Sequence, residues 1–124
     1  MGTGASFGRR GIGQTAMNST VKATFLWKDL MQQLREVDQK RKVFYDEKET
    51  AEQADEKYNT TLSNKRLEMV SEMYDEWNDA VLESQQIAMQ AIGAARDRPN
   101  DNKRMRAAEN ALNTFKRSVA GSEA

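Results

Sequence analysis

Between Gly13 and Gly93 the chain contains neither glycine nor proline, and its one proline is Pro99. A turn-rich β fold needs those residues at its corners, so a gap this long excludes most of them. Ala, Glu, Lys, Gln, Leu and Met fill the gap, and these are good helix formers. The chain is therefore read as all-α, with long helices and few connections.

Hydrophobic spacing sets the first helix. Ala23, Leu30, Val37, Phe44, Ala51 and Tyr58 lie seven apart, on one slowly winding stripe. Leu26, Trp27 and Leu34 widen the stripe early, whereas Arg41, Lys48 and Asp55 interrupt its companion positions later. The first half thus has a broad face to bury and "DQKRKVFYDEKETAEQADEKY" a narrow one. "NST" at residues 18–20 offers capping side chains, so the helix is expected from about Ser19 to Tyr58.

The seven-residue frame fails after Tyr58, where the next positions are Lys65 and Glu72. A new stripe runs Val70, Met73, Tyr74, Trp77, Ala80, Val81, Ile87, Ala88, Ala91, Ala94, Ala95. The change falls in "NTTLSN", residues 59–64, whose Asn, Ser and β-branched Thr form helix poorly. A turn or a register shift in one straight helix both fit there; the turn lets two helices bury the stripe between them. The second helix is expected over 62–97, ending where Arg98 precedes Pro99. Asn100 or Asp101 then caps a third helix over 101–119, with Met105, Ala108, Leu112, Phe115 and Val119 on one face and Ala111 beside them.

The expected architecture is an elongated helical hairpin or coiled coil. Its short third helix packs back to make a three-helix base from 21–37, 77–95 and 103–119, and a two-helix finger of residues 38–70 projects from that base. Residues 1–18 are read as a flexible Gly/Arg arm and 19–124 as a single helical domain. From Leu67 to Ala95 acidic residues stand without lysine or arginine, whereas Arg96 to Arg117 is rich in both. Acidic second helix beside basic third helix is the expected pairing, each exposed pair contributing only ~0–1 kcal/mol.

Composition removes several chemistries. The 124 residues include no cysteine and no histidine, which excludes disulfides, thiolate nucleophiles, imidazole bases and the common zinc sites. Lys+Arg and Asp+Glu both number 19, so net charge gives no bias toward nucleic acid or membrane. No apolar run approaches the ~20 residues that span a bilayer, and no apolar core of a secretory signal opens the chain. The expected location is the cytoplasm or a virion.

Each remaining motif has a plain reading beside a sharper one. "MGTGAS" fits an N-myristoylation pattern at Gly2, with Ser6 in place, but one acyl chain anchors only marginally. It is no phosphate loop, because no "GK[ST]" follows and no strand precedes. As an arm ordered on binding, Phe7, Arg9, Arg10 and Ile12 are its candidate partner contacts. Glu72 with Glu76, or Asp75 with Asp79, stand one turn apart and could share a divalent ion, yet helical carboxylate sites usually add an E-x-x-H pair. A solvated face is the better reading, so no metal, no cofactor and no catalytic residue is expected. The basic residues of 96–106 are interleaved with Asp97 and Asp101, which argues against a nucleic-acid surface. "IAMQAIGAA" at 87–95 suits close helix packing. Trp27, Leu30, Leu34, Tyr74, Trp77, Val81, Leu112 and Phe115 are the expected core anchors, with Phe25 beside them; Phe44, Ala51, Tyr58 and Leu62 on the narrow stripe are expected partner contacts.

The runs "YDEKETAEQADEKYNTTLSNKRLEMVSEMYDEW" and "QQIAMQAIGAARDR" resemble those of internal virion (ejection) proteins of short-tailed bacteriophages, over about residues 30–98. Coiled-coil stalks and chaperones of bacterial export machines look almost as similar. The first resemblance implies a non-enzymatic, many-copy particle component that assembles with itself or a larger protein partner. The second implies a coiled-coil adaptor or chaperone. A third reading, from Gly2 alone, is a lipidated membrane-peripheral protein, and membrane contact is expected only in that case.

Overall fold

A computed structural model describes residues 11–121, with side chains from residue 18 onward. Three α-helices follow in order: α1 (Gly11–Tyr58), α2 (Thr61–Asp97) and α3 (Asn102–Ala120). There is no strand among the described residues. At ~1.5 Å per residue α1 is roughly 70 Å long.

The first boundary departs from expectation. Helix α1 begins at Gly11 rather than Ser19, so Asn18, Ser19 and Thr20 lie inside it and do not cap it. Gln14, Ala16 and Met17 favour helix, and no proline intervenes to stop it. The Thr24 hydroxyl accordingly donates to the Thr20 carbonyl one turn back, at 3.0 Å. Of the expected flexible arm, 11–18 has helical backbone, and 1–10 lies outside the described residues.

The break between α1 and α2 is two residues long. Asn59 adopts φ 45°, the left-handed region that asparagine tolerates better than most residues. Its N–H donates to the Asp55 carbonyl at 2.7 Å, closing the end of α1. Thr60 caps α2: its hydroxyl accepts from the Ser63 N–H at 3.1 Å, and the Thr60 N–H donates to the Ser63 hydroxyl at 3.0 Å. That reciprocal pair satisfies two otherwise orphaned donors. "NTTLSN" is a poor helix segment because its side chains do better as caps.

Contacts between helices give their directions. Arg41 of α1 donates to Asn78 Oδ1 of α2, while Arg96 stacks 4.5 Å over Trp27. Residue numbers rise on one helix as they fall on the other, so α1 and α2 are antiparallel. Trp77 donates to the Val119 carbonyl and Arg104 to the Ala94 carbonyl, so α3 opposes α2 in turn. Lys22–Glu109 and Asp29–Lys116 join α1 to α3 at equal steps along both, so these two run parallel.

The core lies where all three helices meet. Leu30, Val37, Val81, Ile92 and Phe115 are its largest fully buried side chains, with Ala23, Ala88, Ala95 and Ala108 letting the backbones approach. Both ends are tied by side-chain donors on carbonyls in the last turns of the helices. Lys40 and the Trp77 indole donate to the same Val119 oxygen, at 2.8 and 3.0 Å, and Arg104 closes the C-terminal turn of α2. Both carbonyls lie in the last turn of their helices, where a cation suits the negative end of the dipole; that of Ala94 also accepts from the Arg98 N–H at 3.2 Å. Asp101 caps α3, accepting from the N–H groups of Lys103 and Arg104, and Gly121 ends it at φ 70°.

The expected charge pairing is not what forms. The interhelix ion pairs of the described residues join α1 to α3, and none joins α2 to α3. Glu68, Glu72, Asp75, Glu76, Asp79 and Glu83 are exposed. Glu76 and Glu83 stand toward α3 without an ion pair to it, while Glu109 and Lys116 stand on the edge of α3 that faces α1.

Candidate functional site

The buried line of α2 is Ser63, Trp77, Val81, Ser84, Ala88, Ile92 and Ala95, with Leu67, Val70, Tyr74 and Ala91 half-buried between. These steps of three and four give a heptad seam in which two positions are serines. The Ser84 hydroxyl is satisfied by the Ala80 carbonyl at 2.8 Å, so it adds no unpaired group to the core.

Three residues expected on that stripe lie elsewhere. Met73, Ala80 and Ile87 recur every seven residues, one step around α2 from the seam, and all are exposed. Met69 continues the same outer line toward the α1–α2 connection. What the sequence presents as one wide stripe is therefore two, one covered and one open. The clue was available in the spacing: only the line through Ser63 and Ser84 alternates threes and fours without a gap.

Along α3 a second line follows the same rule with small side chains: Ala107, Ala111, Thr114 and Ser118. It faces the outer line of α2 across a groove, in which Ala80, Thr114 and Ser118 line both halves. Glu76 and Glu83 stand on the α2 rim and Arg117 on the α3 rim. Sequence reasoning did not identify this groove, because neither wall is apolar enough to register alone.

The core anchors fall largely where expected. Leu30, Trp77, Val81, Leu112 and Phe115 are buried, and Trp27, Leu34 and Tyr74 half-buried against them. Phe25 is a correction: it is 62% exposed. Five residues separate it from Leu30, about 140° around the helix, so it cannot share that face.

The expected partner contacts divide. Phe44 is half-buried, packing edge-on to Tyr74 at 5.7 Å and against Trp77 at 5.2 Å, and Ala51 is fully buried. This chain itself covers Ala51 wholly and Phe44 in part. Tyr58 and Leu62 are exposed beside the Asn59–Thr60 break, where a partner can reach them. Phe7, Arg9 and Arg10 lie outside the described residues, as does the side chain of Ile12.

Among the described residues no three acidic side chains converge to hold a metal ion, and the pairs Glu72–Glu76 and Asp75–Asp79 stay on an open face. No helix of the described residues is long and apolar enough to cross a membrane. The distinctive chemistry of the surface is apolar, in lines at helical spacing. No family model, curated protein or solved structure matches this chain, so its function is argued from those lines.

Proposed function

We propose that the chain is a non-enzymatic structural or assembly protein, a multi-copy component of a larger complex such as a phage particle, in an internal virion or head–tail position. One observation carries the reading: large apolar side chains are exposed in a row, with Met69, Met73 and Ile87 along one face of α2. Single exposed apolar residues are ordinary, whereas rows on one face mark contact surfaces. Covering such rows contributes ~25 cal/mol per Å² against the ordering costs of association. An elongated coiled-coil hairpin that offers this row to copies or to a larger partner accounts for it, and the N-terminal residues Phe7, Arg9, Arg10 and Ile12 add further contacts.

The test is oligomeric state. Light scattering with sedimentation over a concentration series should show self-association or a requirement for a larger partner. A chain that stays monomeric and binds nothing of its particle counts decisively against the proposal.

A second reading, an export adaptor or chaperone working as a monomer through its tip, draws on Leu62. That side chain is 79% exposed in the first turn of α2, two residues after the Thr60 cap. Crosslinking from Asn64 separates the two, since contact with a different protein and none with self favours the adaptor.

A further inference from the structure

We infer that the groove between α2 and α3 seats a second copy of this chain. The two copies are related by a two-fold axis parallel to the helices, so that α2 of each lies against α3 of the other. The inference rests on the assembly reading above and names the surface that would serve it.

The shape suits the close approach of a second pair of helices. Ala107, Ala111, Thr114 and Ser118 keep the α3 wall shallow, and Ala80 does the same on α2. Met73 and Ile87 stand one heptad to either side of Ala80, 54% and 53% exposed. Long side chains at heptad intervals beside a row of small ones are knobs next to holes, and a second copy supplies the matching set.

Charge chooses the occupant and its orientation. The α2 rim carries Glu76 and Glu83, and the α3 rim carries Arg117, which lines the groove beside Ala80 and so stands between the two glutamates in height. No ion pair joins these rims within the chain. An axis parallel to the helices holds both copies at one height and lays each acidic rim on the other's basic rim. An axis across the helices would stack α2 on α2, acid on acid. The groove is therefore complementary to itself in one arrangement, as a closed two-fold interface requires. A foreign helix would have to bring both an acidic and a basic edge.

The size sets the strength. Two helices side by side and the 19 residues of α3 give a footprint of roughly 20 by 28 Å. That is less than the about 800 Å² per partner of a standard stable interface. Reversible pairing in the micromolar range is the expectation.

Sedimentation velocity on the full chain tests it, with Ala80→Arg in the groove and Leu82→Arg on the opposite flank of α2 as its matched control. Both sites are exposed, so helical circular dichroism should be unchanged. Ala80→Arg should raise the dimer dissociation constant by about tenfold or more and Leu82→Arg by less than about twofold. Arg117→Glu should weaken pairing, and adding Glu76→Arg and Glu83→Arg in the same chain should restore it. Should Ala80→Arg lose helicity, the charge series alone decides. Self-association that responds equally to both arginines, or to neither, overturns the groove and leaves the assembly reading standing. A chain monomeric at every concentration overturns the groove, and the assembly reading then rests on a larger partner alone. A monomer whose Ser118→Cys thiol resists alkylation until residues 1–10 are removed places the N-terminal segment in the groove and overturns the inference.

Discussion

The two halves of this molecule are built from the same two helices and differ in whether a third covers them. Where α3 lies against α1 and α2, Leu30, Val81 and Phe115 lose all contact with solvent. Past Trp77, with α3 ended at Ala120, α1 from Phe44 and α2 up to Tyr74 share one seam, in which only Ala51 and Ser63 are buried. Val43, Tyr45, Tyr58, Leu62 and Met69 stay in water there. Two helices can enclose a line of small residues and little else, while three can enclose a phenylalanine. Stability is expected to concentrate in the base, and availability for contact in the two-helix arm formed by residues 43–74.

Phe115→Ala tests that contrast most severely. Emptying a fully buried phenylalanine site costs about 3–5 kcal/mol, a large part of what a domain this size has. Leu62→Ala, at the arm's most exposed large side chain, should cost less than about 0.5 kcal/mol. Urea unfolding of both variants reads the difference directly. Comparable losses would mean that the arm holds the base together, contrary to the burial pattern.

The arm also contains an apparent defect. Asp55 has a buried carboxylate oxygen, Oδ1, with no hydrogen-bond partner, and it lies in the last turn of α1, where the helix dipole disfavours negative charge. Alanine there removes the orphaned oxygen and improves helix propensity. Asp55→Ala should therefore stabilise the arm by about 1 kcal/mol. The gain should appear as slower amide exchange over residues 44–74 with the base unchanged, since exchange reports local opening. Faster exchange in the arm would show that Asp55 holds the Asn59 turn and that its cost is offset there.

How much of this was legible in the sequence follows the same division. The line Ala23, Leu30, Val37 was readable because each member is apolar and α1 has one broad face to hide. Asp101 and Pro99 announced the last connection through side-chain and ring chemistry that acts locally. The start of α1 was misread because capping residues at 18–20 look alike whether they cap or merely sit in a helix, and only the preceding turn decides. The groove was illegible for a different reason. Its walls combine Met73, Ala80 and Ile87 with Ala107, Thr114 and Ser118, residues 20 to 45 apart that become one surface only after α3 folds back. Which acidic residues find partners is equally a matter of rotation about the helix, and sequence charge blocks do not encode it.

The smallest expected effect tests that last point. Lys116 pairs with Asp29 at 2.5 Å, and both side chains are more than a third exposed. Solvent and salt screen such a pair, so Lys116→Ala should cost no more than about 1 kcal/mol and less still at high ionic strength. The pair and its neighbour Lys22–Glu109 nonetheless place opposite charges one heptad apart on α1 and in reversed order on α3. Sliding α3 by one heptad would set Lys22 against Lys116, or Asp29 against Glu109. The double reversal Lys22→Glu with Glu109→Lys keeps its own pair, yet it makes the slipped alignment attractive. Its stability should stay within about 1 kcal/mol of the parent, while exchange along α3 should become heterogeneous. If α3 exchanges as a single population in that variant, the register is set by Phe115 and Leu112 alone, and the ion pairs merely follow.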